Sequence, residues 1–230
     1  MPDIVVEPHN VEKLLTKVKS SKASGPDVIP CHVLNETTHE IAPRLADIFS
    51  CSLSTGNLPR DWKSANVASV FKKGNTNLAE NYRPISLTCV CCKILEHIVC
   101  HSIRAHLDNA ILSVFQRGFR SGFNCDSQLL STVHDPMSCF DKNKQVDVAV
   151  LDFSKAFDVV PHQRLLGKLR HFGIGGLTLA WIESFLSGRS QRVIVDGVCS
   201  GWSPVLSGVP QGTVLGPLRQ CNTVSFSTWF

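Results

Sequence analysis

Residues 146–160 read VDVAVLDFSKAFDVV. Val146 to Phe153 is a near-continuous apolar run, the pattern of a strand buried on both faces. The run delivers a carboxylate, Asp152, and sets Phe157 and Asp158 one helical turn beyond it. A carboxylate at the C-terminal end of a buried strand is well placed to hold Mg²⁺. The strand fixes it, and the open sheet edge leaves room for waters and phosphates. On its own, Asp152 has a plainer and preferred reading, the N-cap of the turn that follows.

Downstream, Leu165, Leu166, Leu169 and Phe172 predict a helix ending at Gly173. Trp181, Ile182 and Phe185 predict another, ending at Gly188. Residues 191–202 read QRVIVDGVCSGW, a hairpin with an Asp196-Gly197 turn. SGVPQGTVLGPL, from Ser207, is a Pro/Gly loop with a possible helix start. Trp181 and Trp202 read as core or hairpin packing, His162 as a helix-start residue, and Asp158 as a local cap.

Upstream, Leu130, Val133, Met137 and Phe140 have helical spacing, with Pro136 expected to kink or split the helix. FQRGFRSGFNCDS before it is a Gly-punctuated loop. In LTCVCCKILEHIVCH, residues Leu87, Cys91, Ile94, Leu95 and Ile98 predict a buried helix. Cys89, Cys92, Cys100 and His101 lack the two paired couples of a structural zinc site, so they read as packing. NVASVF is a strand leading into a basic, Gly/Asn-rich hairpin loop. Nearer the start, Val11, Leu14, Leu15 and Val18 mark an amphipathic helix broken at Ser24-Gly25-Pro26-Asp27. Ile41, Leu45, Ile48 and Phe49 mark a second helix, stopped by Gly56 and Pro59.

Helices and strands alternate without a strict βαβ repeat, so the fold class is α/β (α+β). With 230 residues and 43% hydrophobic content the chain can bury the core of one or two domains. Its 18% charged content does not suggest a disordered tail. A net charge of +4 permits a polyanionic partner without demanding one. No apolar run approaches the ~20 residues of a membrane span. The N-terminus, MPDIVVEPHN, has no signal-peptide pattern, which points away from secretion and towards reduced cysteines.

Four motifs occur in order: FKKGNTNLAENYRPISL, QRGFRSG, LDFSKAFDVV and SGVPQGTVLGPL. Together they resemble the reverse transcriptases of LINE-type non-LTR retrotransposons, over about residues 20–218. The resemblance implies a right-hand polymerase. Residues 1–61 would be an N-terminal helical extension, 62–125 the fingers, 126–218 a partial palm and 219–230 a divergent tail. It implies that Asp152 is the first catalytic aspartate and a metal ligand, with Phe153 lending its carbonyl to one Mg²⁺. Phe157 would be the steric gate against a ribonucleotide 2′-OH. Lys72, Lys73 and Arg83 would grip the incoming triphosphate, Gln211 and Gly212 would contact nucleotide and template, and Arg117 and Arg120 template phosphates. The residues alone allow plainer readings. The basic hairpin can be a solvated surface, and either arginine an ordinary surface charge. The implied partners are an RNA template, a DNA primer and dNTPs, with no membrane, in the nucleus or cytoplasm.

The chain also departs from the pattern. RQCNTVSFSTWF, residues 219–230, replaces the expected apolar helix and Asn-Asp, and no acidic residue follows Asp196. The aromatic-x-Asp-Asp motif is absent, as after a frameshift, a misjudged exon boundary or a truncation. Arg117 stands where the family usually has His or Phe, and Pro136 falls in a helix the family keeps continuous. The expectation is therefore a reverse transcriptase domain inactive as this chain. Two alternatives are a non-catalytic nucleic-acid-binding remnant and a chain that leaves its central strand exposed and cannot fold.

Overall fold

The computed structural model describes residues 1–108, 118, 122–149 and 157–216. Its sheet grows from the predicted basic hairpin. Strand β1 (Ser64–Phe71) pairs antiparallel with β2 (Tyr82–Thr88). The loop between them is closed by the Lys72 amide donating to the Asn81 carbonyl at 2.8 Å. β1 also runs parallel to β3 (Arg189–Val195), in register from Ser64↔Ser190 to Ala68↔Ile194. A parallel pair needs a long crossover, and here the chain between the two strands carries the central helices. β3 turns through Asp196 and Gly197, at φ 50 and 81, into β4 (Val198–Cys199). Left-handed backbone at both turn positions is what an Asp-Gly hairpin requires. β5 (Ser203–Val205) returns to pair with the start of β3.

Helices α1 (Pro8–Leu15), α2 (Cys31–Glu36), α3 (Thr38–Thr55), α4 (Val90–Asp108), α6 (His162–His171) and α7 (Gly176–Leu186) surround one apolar core; α5 is Cys125–Phe140. Val11 and Leu15 of α1, Phe49 of α3, Leu95 and Ile103 of α4, and Leu165 and Leu169 of α6 are all buried there. Trp181 on α7 is fully buried, stacks on Phe185 at 5.8 Å and donates its indole N–H to Ser52 Oγ at 2.9 Å. That bond satisfies the polar end of an otherwise apolar side chain. Among the described residues, no helix is long and apolar enough to cross a membrane.

The structure is thus α+β, as expected, with corrections of detail. Leu87 lies in β2, so the stripe of α4 begins later, at Cys91. Ile48 is exposed, although its stripe partners Leu45 and Phe49 are buried. α2 had no sequence signal strong enough to predict it. α5 runs through Pro136 as one helix. Asn124 and Ser127 cap its start reciprocally, and where α5 faces solvent water can take the carbonyl that proline deprives of a donor. The predicted strand also departs from expectation. Residues 146–149 have no strand pairing, and Val148 is 63% exposed. A strand buried on both faces needs hydrogen-bonded neighbours and two covering layers. Among the described residues, 146–149 have neither. The rest of the run, 150–153, lies outside the described residues.

Candidate functional site

The sequence KKGNTNLAEN makes the β1–β2 loop basic and polar, and local bonds hold it. The Tyr82 hydroxyl donates to the Thr76 carbonyl at 2.8 Å, and its ring meets Phe71 edge-on at 5.4 Å. Lys72, Lys73 and Arg83 are exposed, and none is in an ion pair among the described residues. Arg83 sits on β2 opposite Val70.

The loop from Ser207 to Gly216 forms the other wall. On one side it is laced to the turn that carries Phe157. The Gly208 amide donates to Val160 O at 3.0 Å, the Val209 amide to Phe157 O at 2.9 Å, and Ser207 Oγ to Asp158 O at 3.0 Å. His162, the first residue of α6, donates from Nε2 to Gly208 O at 2.7 Å, which gives this helix-start residue a definite task. Gly208 has φ +81, and a Cβ there would lie 2.6 Å from Phe157 O. Only glycine permits both the conformation and the approach.

On its other side the loop meets β2. The Ser86 amide donates to Gln211 O at 2.7 Å. Gly212 has φ +99, and a Cβ there would touch Ile85 Cγ2 at 3.4 Å. Side chains two apart on a strand share a face, so Arg83 lies on the side of β2 against which Gly212 packs. A cleft of about 340 Å³ opens between these parts, lined by Ser86, Asp158, Gln191 and Gln211 among others. The loop therefore joins the Phe157 turn to β2: Gln211 lines the cleft, Gly212 packs on Ile85, and Arg83, Lys72 and Lys73 lie further along the same hairpin, while the Phe157 ring packs against the core beside Gly216.

Beneath the loop lies a buried carboxylate. Glu96 of α4 is 0% exposed. Its Oε2 accepts the amides of Val214 at 2.8 Å and Leu215 at 3.2 Å, and Oε1 faces Cys92 Sγ at 3.7 Å. Burial pushes the Glu96 carboxyl above its ordinary range, while the two amides and Arg189 pull it back. Arg189 is also buried, donates to Phe185 O at 3.0 Å and stacks over the Phe185 ring. Burial raises the thiols of Cys92 and Cys100. Both line the packed side of α4, and Cys100 Sγ faces Val214 O at 3.8 Å. Sequence reasoning passed over Glu96. The signal was there: it sits four residues after Cys92 and four before Cys100, on the apolar stripe.

Asp152, Phe153, Arg117 and Arg120 lie outside the described residues. Among the described residues, no three His, Cys, Asp or Glu side chains form a cluster that could hold a metal ion.

Comparison with known proteins supplies the remaining constraint. Residues 70–225 match the family model described as reverse transcriptase (RNA-dependent DNA polymerase). The chain is 33% identical over 219 residues to the RNA-directed DNA polymerase from mobile element jockey of Drosophila melanogaster, covering 94% of this chain and 24% of that relative. The corresponding jockey protein of Drosophila funebris is 30% identical over 219 residues, with the same coverage of 94% and 24%. A retrovirus-related Pol polyprotein from the R2 element of Popillia japonica is 26% identical over 211 residues, covering 90% of this chain and 28% of the relative. The chain spans about a quarter of the length of the curated relatives it matches. A basic hairpin, an aromatic turn and a Gln-Gly loop held together on one sheet edge, within a sequence that matches that model, place the chain in the reverse transcriptase (RNA-dependent DNA polymerase) family, as a domain of the LINE-type, non-LTR retrotransposon kind.

Proposed function

We propose that this chain supplies the nucleotide- and template-gripping part of an RNA-directed DNA polymerase. The observation that carries the reading is the Ser207–Gly216 loop, bonded at once to the Phe157 turn and to β2. In this reading residues 1–61 are the N-terminal extension, 62–125 the fingers, 126–218 a partial palm and 219–230 a divergent tail. Lys72 and Lys73 are point charges for the triphosphate, and Arg83 is a fork for two of its oxygens. Phe157 excludes a ribose 2′-OH by contact, and Gln211 and Gly212 present an amide side chain and bare backbone to the nucleotide and template strand. Arg117 and Arg120 hold template phosphates. The partners are an RNA template, a DNA primer and dNTPs.

The family chemistry calls for Mg²⁺, with Asp152 and the Phe153 carbonyl as the ligands that match the motif. Two ions about 3.5–4 Å apart need several carboxylate oxygens. Only Asp152 matches such a position, and no acidic residue follows Asp196. The residues present do not fit a two-metal site, so no step is routed through one, and these 230 residues assayed alone do not polymerise. The second reading, a non-catalytic nucleic-acid-binding remnant, shares the basic hairpin but is not favoured by family membership.

Primer extension, dNTP binding and primer–template binding test this together. No Mg²⁺-dependent synthesis is expected. Replacing Lys72, Lys73 and Arg83 by Ala should weaken binding of a dNTP, whose triphosphate they grip, by about tenfold or more, while a matching loss of primer–template affinity and salt slope would favour the second reading. Synthesis that disappears in Asp152→Ala would overturn the inactivity. Unchanged dNTP affinity in the triple variant would overturn the phosphate grip.

A further inference from the structure

We propose that Glu96 is a positioning residue for the Gln211-Gly212 turn, acting from beneath it through the Val214 and Leu215 amides. The inference deepens the function proposed above and rests on it for the role of Gln211.

A carboxylate with no solvent exposure, on the apolar face of a core helix, is costly to bury. Hydrogen bonds to the charged group offset that cost only when their geometry is good. Here one oxygen takes two consecutive backbone amides at 2.8 and 3.2 Å, and both belong to the loop. Arg189, on the first residue of β3, adds favourable charge from the sheet side.

The loop is then held at three places. Glu96 grips it after the Gln-Gly pair, the Ser86 amide takes Gln211 O at the pair itself, and the Phe157 turn binds Gly208 and Val209 before it. Within the loop, Thr213 bridges back to Pro210 O through its Oγ1 at 2.8 Å. The segment between the anchors has little freedom, so fixing Val214 and Leu215 fixes where Gln211 stands relative to Arg83. An apolar side chain at 96 could fill the same space but would leave two amides without an acceptor. The loop would then sit on the core without being registered to it.

The test uses the full chain and three substitutions. Glu96→Met keeps the volume and removes both acceptors. Glu96→Gln keeps an oxygen for the amides and turns its NH₂ towards Cys92. Gln211→Ala removes the side chain that Glu96 is held to position. Amide hydrogen exchange is read at Val214, Leu215 and Ser86. Glu96→Met should raise exchange at all three by about tenfold or more, with amides of α3 and α7 within about twofold of the parent. Glu96→Gln should restore most of the protection. Ser86 decides between the two explanations, because its amide bonds to the loop at Gln211 O and none of the Glu96 hydrogen bonds reaches it. Protection lost evenly across the core, or lost at Val214 and Leu215 but kept at Ser86, overturns positioning.

Primer–template affinity completes a double-mutant cycle. Glu96→Met and Gln211→Ala should each weaken binding, and the double variant should be little worse than either. Additive losses overturn the proposal. If the parent chain binds no primer–template, the functional reading fails and the exchange pattern alone decides whether Glu96 registers the loop. Should Glu96→Met not melt cooperatively, Glu96→Asp replaces it under the same criteria, since its carboxylate ends one methylene short of the amides.

Discussion

α4 and α5 are both helices with an apolar stripe, and they meet opposite fates. In α4, Leu95, Val99 and Ile103 are fully buried in the one core that also takes in residues of α1, α6 and the Val209–Leu215 segment. In α5, Leu129, Leu130, Met137 and Phe140 are 63%, 73%, 58% and 58% exposed. Spacing makes a face, and only a neighbouring element covers it. α4 has its neighbours from both ends of the chain. α5 has a good local start in its Asn124–Ser127 capping box and stands without a covering layer among the described residues. The same holds for 146–149, which follow α5 and do not pair. Local propensity can build a helix alone, but a buried strand is built by its partners.

Three measurements would sharpen this contrast or break it. The largest effect is expected in the buried layer. Trp181→Ala should cost about 3–5 kcal/mol in chemical denaturation, from the lost transfer energy, the cavity and the lost indole N–H bond to Ser52 Oγ, which keeps its own bond to Asn57 O. A loss under about 1 kcal/mol would mean that α7 is not packed as described.

Next comes thiol labelling of the native chain at pH 8. Cys92 and Cys100 are buried, with thiols that burial keeps protonated, while Cys125 at the start of α5 is exposed. Cys125 should react on the order of 100-fold faster, read by mass spectrometry of the labelled peptides. Equal rates would show that α4 opens as readily as α5.

The smallest effect belongs to α5 itself. Leu130→Ser should change stability by no more than about 0.5 kcal/mol, because the side chain already stands in water. A loss of about 2 kcal/mol or more in the same denaturation experiment would show that something covers that face in solution.

Much of this arrangement is legible in the order of residues. The β1–β2 hairpin, the Asp196-Gly197 turn and the stripes of α1, α4, α6 and α7 follow from local patterns, because turn geometry and periodicity act over a few residues. The nucleotide-site candidates were legible only as motifs. Nothing local says that Ser86 donates to Gln211, or that Gly208 lies against Phe157. Leu87 was misread because a strand end and a helix start, both apolar, adjoin without a break in hydropathy. Glu96 was passed over because one carboxylate in an apolar stripe looks like noise until its amide partners, more than a hundred residues away, are known.

The sequence by itself determined the family, the helical faces and the turns, since these depend on residue identity and on conformational preferences of short segments. Tertiary structure decided which faces are covered, that β1 and β3 lie parallel in one sheet, and that the Gln-Gly loop is registered by a buried carboxylate. Those outcomes depend on contacts between residues distant in the chain. Their free energy exists only once both partners have been brought together and withdrawn from water.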